Sequence, residues 1–280
     1  MLAAHSAQLT QAPAGPYRVS GNRILDSAGR PFLTRGTELP ALTLKASDIA
    51  GDGRELGAFS PSSLVSIRQR LNMNAVRLPL DAQVFMDSAA YRERALEVVR
   101  AANHFELLAI LATQSGTPAR FWPLCAETFK DFPDVFFAPD SAAADWPAWQ
   151  RELQSLVAAI RAAGAAQPVL LPGIGPLAFA GLTPELQVRD GNVIYSATPR
   201  YATLRTAEDR RVQFGELSSR APVLVNDLDP QLDRNSAECA AFPPDPGAAT
   251  QLLQEHLAWF DAHQVSWILS SYRPGRMLTE

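Results

Sequence analysis

The chain has 280 residues, 47% of them apolar and 19% charged, so it has the material for a large core and is not a disordered tail. A formal charge of -4, with Lys and Arg scattered along the chain, lacks the basic stripe of a nucleic-acid binder. No run approaches the roughly 20 apolar residues that a membrane helix requires, because Pro, Gly or charge interrupts each stretch, as around Phe105 to Ala112.

Met1 to Ala14 carries no Lys or Arg and only a short apolar stretch, so it is not a complete secretion signal. Residues 1–16 read as the remnant of such a signal or as a disordered end, and residues 17–280 as one domain. Tyr17 to Phe32 then reads as a hairpin, Tyr17-Arg18-Val19-Ser20 against Arg23-Ile24-Leu25-Asp26, with a second turn at Ser27-Ala28-Gly29. It is expected to plug the floor of the fold that follows.

From there the chain alternates short apolar runs with amphipathic segments. Eight runs read as strands: Phe32 to Glu38, Ala75 to Leu80, Leu107 to Thr113, Val135 to Asp140, Val169 to Gly173, Val193 to Thr198, Val223 to Asp227 and Ser266 to Tyr272. The helices between them announce their starts. Ser60-Pro61 supplies a cap followed by Pro at the first helical position, ahead of Leu64, Ile67 and Leu71. Ser88 caps a segment with Tyr91, Ala95, Val98 and Ala102 on one face. Asp145 caps another, with Trp146, Trp149, Leu153, Leu156 and Ile160 as its stripe and Gly164 at its end. Pro246 to Gln264 reads likewise through Leu252, His256, Trp259 and Phe260.

Eight strand-helix units predict an α/β fold, a (β/α)8 TIM barrel with an N-terminal β-hairpin and a missing or short last helix. A doubly wound open sheet competes, but Gly173-Ile174-Gly175 is followed by Pro176 and no convincing helix, which argues against a phosphate loop. Cys125 and Cys239 read as separate structural thiols. His256 and His263 lack the partners of a zinc set and read as packed or capping residues, and Trp267, early in its strand, reads as core.

The active side of such a barrel is at the C-terminal ends of its strands. Those ends carry Glu38, Asp81, Gln114, Asp140 with Ser141, Thr198 with Tyr201, Asp227 with Asp229, and Ser271 with Tyr272. Carboxylates and hydroxyls predominate, which suits a sugar better than a phosphate. No serine elbow, P-loop or HExxH occurs among them.

Several segments carry a resemblance. They are Gly21-Asn22-Arg23-Ile24-Leu25-Asp26 with Gly29, Arg35-Gly36, Leu71-Asn72-Met73-Asn74-Ala75-Val76-Arg77-Leu78-Pro79, Ile110-Leu111, Phe129-Lys130-Asp131 with Val135-Phe136-Phe137, and Asn192-Val193-Ile194-Tyr195-Ser196. In this order, from about Gly21 to Pro274, they resemble the cellulase-like glycoside hydrolases of family 5. The resemblance implies a glycan or oligosaccharide partner, no cofactor or metal, and a secreted or periplasmic location. It also implies two catalytic glutamates, an acid/base in an Asn-Glu pair closing the fourth strand and a nucleophile ending the seventh, about 5 to 5.5 Å apart in retaining enzymes.

Both positions differ here. Aligned without a gap, Ser141 and Ala142 take the Asn-Glu places; with a two-residue shift Asp140 falls there instead. Asp227 stands at the nucleophile position, its carboxylate withdrawn by roughly 1.5 Å, one C–C bond, and displacements of that size cost on the order of a hundredfold in rate. Gln114 and Thr198 stand where the family has histidines. Arg77 matches, Tyr201 matches with its spacing stretched by one residue, and Arg77 is expected either to pair with Asp227 or to satisfy other buried carboxylates.

The expected catalytic pair is thus Asp227 and Asp140, with Arg77, Gln114, Ser141, Thr198, Tyr201 and Glu38 binding substrate. Three readings follow: a degenerate glycosidase that binds a glycan with little or no hydrolysis, an active β-glycan hydrolase using Asp140 and Asp227 across a wider gap, and a protein-interaction module on a barrel scaffold.

Overall fold

The protein is seen in a computed structural model that describes residues 9–42, 59–113, 116–175, 178–199, 204, 206–228 and 246–270, with Asp227 and residues 246–250 described by backbone alone. The hairpin forms where the turn residues place it. β1 (Arg18–Ser20) pairs antiparallel with β2 (Arg23–Leu25), and Gly21 at the bend has a φ of 59°, in the left-handed region that glycine enters without strain.

Eight parallel strands follow: β3 (Arg35–Glu38), β4 (Ala75–Pro79), β5 (Leu108–Ala112), β6 (Val135–Ala138), β7 (Val169–Pro172), β8 (Val193–Ala197), β9 (Val223–Leu228) and β10 (Ser266–Leu269). Each pairs with the next, and β10 pairs with both β9 and β3, so the sheet closes on itself. Closure leaves no free edge and excludes the open sheet.

Capping fixes the helices. In α1 (Pro61–Val65) the Ser60 side chain accepts from Ser63 N, and the helix runs on through a wider turn, Ser66–Arg70. Asp81, Ser88 and Asp145 cap α2 (Ala82–Asp87), α3 (Ala89–His104) and α5 (Trp146–Ala162) in the same way, while α4 (Phe121–Phe129) buries Cys125. Thr206 and Asp209 form a reciprocal capping box on α6 (Ala207–Arg210), which continues through Arg211–Gly215 into α7 (Glu216–Ser218); α8 (Pro246–Ala262) precedes β10. A single turn, Pro184–Leu186, is the helical element described between β7 and β8. The expected absence of a last helix and the state of Cys239 fall outside the described residues.

Strand alternation divides the core into two layers. Ala75, Leu108, Ile110, Ala112, Phe136, Ala138, Leu170, Ile194, Leu224 and Ile268 point into the barrel, where Tyr17, Ile24 and Phe32 from the hairpin region join them and close the floor. Their sequence neighbours Val76, Ala109, Phe137, Leu171, Val193, Val225 and Trp267 face outward under the helices. Trp267 is therefore core. Phe32, 1% exposed, belongs to the floor plug, which is why the first barrel strand starts at Arg35 and not where the apolar run begins.

One boundary moves. Residues 9–16 do not form a loose end. Thr10 N donates to Asn72 Oδ1 at 2.6 Å, buried Arg68 donates to the Thr10 carbonyl at 3.0 Å, Gln11 bonds Asp26 at 2.8 Å, and Gly15 N reaches Asp134 at 2.8 Å. These anchors come from side chains elsewhere in the chain, so residues 9–16 pack against the barrel.

Candidate functional site

The inward register that fills the barrel with apolar side chains continues upward into polar ones. Above Gly36 comes Glu38; above Ala75, Arg77; above Phe136 and Ala138, Asp140; above Ile194, Ser196 and Thr198; above Leu224, Asn226. With Thr113 and Pro172 they line a cleft of about 440 Å³ at the C-terminal ends of the strands. A period of two residues, carried past the last apolar layer, thus builds the mouth.

Neighbouring strands contribute the polar residues in pairs. Glu38 and Arg77 are register partners on β3 and β4, and the Arg77 Nη1 donates to Glu38 Oε2 in an ion pair. Thr113 and Asp140 follow β5 and β6, aligned through Ala112 and Ala138; Thr198 and Asn226 lie one step beyond the Ala197–Val225 pair of β8 and β9. β9 carries a bulge here: Val225 pairs with Trp267 but Leu228 with Leu269, so β9 spends one more residue than β10, at Asn226 and Asp227. Bulges of this kind re-aim side chains and recur beside active sites.

Three buried polar atoms of the cleft residues, Arg77 Nε, Thr113 Oγ1 and Asn226 Oδ1, have no hydrogen-bond partner among the described residues. Such atoms are costly unless a bound group satisfies them. Asp140, half-buried, takes part in no ion pair among the described residues.

Of the residues singled out in the sequence, Glu38, Arg77, Asp140 and Thr198 line the cleft, while Ser141 does not. The Ser141 hydroxyl donates to Glu152 on α5 at 2.8 Å, and Ala142 is exposed, so the loop after β6 presents Asp140 to the mouth and turns Ser141 toward the helix. Arg77, expected beside Asp227 or another carboxylate, pairs with Glu38. Asp81 is a helix cap. Gln114, Tyr201, Asp229, Ser271 and Tyr272 lie outside the described residues, as does the side chain of Asp227. Sequence reasoning missed Thr113, Ser196 and Asn226, each within two residues of a chosen position; only the alternation, counted up from the core, finds the last two.

Away from the mouth, the two helix histidines are packed. His256, fully buried, accepts from Arg210 Nη1 at its Nδ1 (2.8 Å), and His263 stacks on Trp259 with ring centroids 3.9 Å apart. Burial first, and then the adjacent guanidinium, push His256 down to about 4. Burial also pushes the Cys125 thiol up. Among the described residues no helix is long and apolar enough to cross a membrane.

No protein-family model matches the chain, and no curated protein matches it. Solved structures do. A β-glucanase from Saccharophagus degradans in complex with cellotetraose superposes with a TM-score of 0.72 at 17% identity, over 95% of this chain and 86% of that one. A thermostable, halotolerant GH5 cellulase from an Icelandic hot spring isolate gives 0.69 at 14%, over 96% and 85%. Cel5A of Thermotoga maritima in complex with mannotriose gives 0.64 at 14%, over 87% and 91%. At these identities the likeness is one of fold: the chain is a (β/α)8 barrel built like the barrels of family-5 glucanases, cellulases and mannanases.

Proposed function

We propose that this protein is a degenerate relative of the family-5 glycoside hydrolases that binds a glycan in its mouth cleft with little or no O-glycosyl hydrolysis. The observation that carries this reading is the fate of the carboxyls: Glu38 is taken up by Arg77, and Asp140 is the one cleft carboxyl outside an ion pair among the described side chains. Hydrolysis needs a proton donor and a second carboxylate acting together across the sugar. The hydroxyl and amide lining and the solved relatives with cellotetraose and mannotriose support a glycan ligand. The same resemblance supports a secreted or periplasmic location.

Calorimetry with cellotetraose and mannotriose, beside reducing-sugar assays on β-glucan, mannan and aryl glycosides, tests the reading. Binding without turnover is expected; binding to none of these sugars, nor to a β-1,4-linked glucosamine tetramer, refutes it. An active hydrolase using Asp140 and Asp227 is the second reading, favoured by the place of Asp140 in the cleft and by the bulge at Asp227. Two aspartates on separate walls suit the wider gap, about 6.5 to 9.5 Å, of inverting enzymes. Turnover abolished by Asp140→Ala and by Asp227→Ala establishes it and removes the first.

A further inference from the structure

Resting on the glycan reading, we infer that the ligand is a cationic amino sugar, whose ring ammonium is taken by Asp140 while its hydroxyls serve the buried polar atoms around it. The charges decide the first half. Arg77 and Glu38 neutralise one another, and Thr113, Ser196, Thr198 and Asn226 are uncharged, so Asp140 carries the uncompensated charge of the described lining. A ligand closing over that carboxylate strips it of water, and an ammonium answers with a charge-assisted hydrogen bond where a hydroxyl gives an ordinary one.

The unpartnered atoms decide the second half. Asn226 Oδ1 is an acceptor, Arg77 Nε a donor, and the Thr113 hydroxyl acts as either; Asn226 and Thr113 are 8% and 5% exposed. A simple polyamine offers donors alone. A sugar ring offers hydroxyls that both donate and accept, and an amino sugar adds the cation among them.

The pair that isolates the charge is the β-1,4-linked glucosamine tetramer and cellotetraose, which differ at C2 alone. Calorimetry on the full chain is expected to show the amino tetramer binding about tenfold more tightly near pH 6. The advantage is expected to vanish near pH 9, where the amines lose their protons, and to shrink as salt is added. Asp140→Asn, which keeps the shape, is expected to abolish it, and Asp140→Ser provides a second removal of the charge if the first variant folds poorly. Equal or tighter binding of cellotetraose overturns the inference while leaving the glycan reading intact. An amino-sugar preference that survives both substitutions also overturns it, since it then reflects the overall charge of -4. Failure of both tetramers to bind overturns the inference, and if mannotriose also fails to bind the glycan reading goes with it.

Discussion

Asn74 at the barrel floor and Asn226 at the mouth are the same residue type, 1% and 8% exposed, at opposite ends of one barrel. Asn74 spends its whole amide on the fold: its oxygen accepts from Arg35 N at 2.8 Å, and its nitrogen donates to the carbonyls of Gln11 and Leu33 at 3.0 and 2.9 Å. Asn192, also at the floor, does likewise with Val19 N and the carbonyls of Tyr17 and Ala166. The Asn226 carbonyl has no partner among the described residues, and neither has the Thr113 hydroxyl. Asn74 and Asn192 use their amides to hold the chain together, and Asn226 leaves its carbonyl unpartnered beside the cleft.

The sharpest way to break this contrast is to truncate the floor. Asn74→Ala strands one N–H and two carbonyls in a buried site and is expected to lower the unfolding free energy by about 3 kcal/mol in urea melts. A loss no greater than that of Asn226→Ala would erase the distinction. Gly36→Ala is expected to cost about 2 kcal/mol through overpacking, because a Cβ at Gly36 meets the Ala75 carbonyl and the Ile268 side chain.

A buried polar contact outside both ends sharpens the picture. His256, ordinarily near 6.5, is held down to about 4 by burial and by Arg210, so the unfolded chain takes up the proton first. Stability contributed by the neutral imidazole is complete above about pH 6.5 and is lost as the pH falls toward 4. Melting temperatures measured across that window are expected to decline more steeply in the native protein than in His256→Gln. The smallest effects belong to the mouth: Thr113→Val and Asn226→Leu are expected to leave stability within about 1 kcal/mol, or to raise it, since each replaces an unsatisfied polar group by an apolar one. Sugar affinity, measured in parallel, should fall.

All eight barrel strands and the Ser60, Ser88 and Asp145 caps were legible in the sequence, because a buried parallel strand is a short apolar run and a cap is a local signal. Strand ends were less so. The run beginning at Phe32 mixes a floor plug with a strand, two kinds of burial that look alike in one dimension. The choice between Asp140 and Ser141 needed the alternation through Phe136 and Ala138 and the outward pull of Glu152 on Ser141. Glu38 with Arg77 needed the register of β3 against β4, and the docking of Thr10 on Arg68 and Asn72 joins residues about sixty positions apart. Pairings at that distance leave no trace in local pattern.

The strand of chain from Leu9 to Pro16 lies beneath the floor, on the side of the barrel away from the mouth. A biotin handle placed ahead of Leu9 therefore orients the molecule on a sensor chip with its cleft toward the flowing analyte. Immobilisation through surface lysines has no such bias, and the two formats compared on one oligosaccharide report directly which face of the barrel captures it.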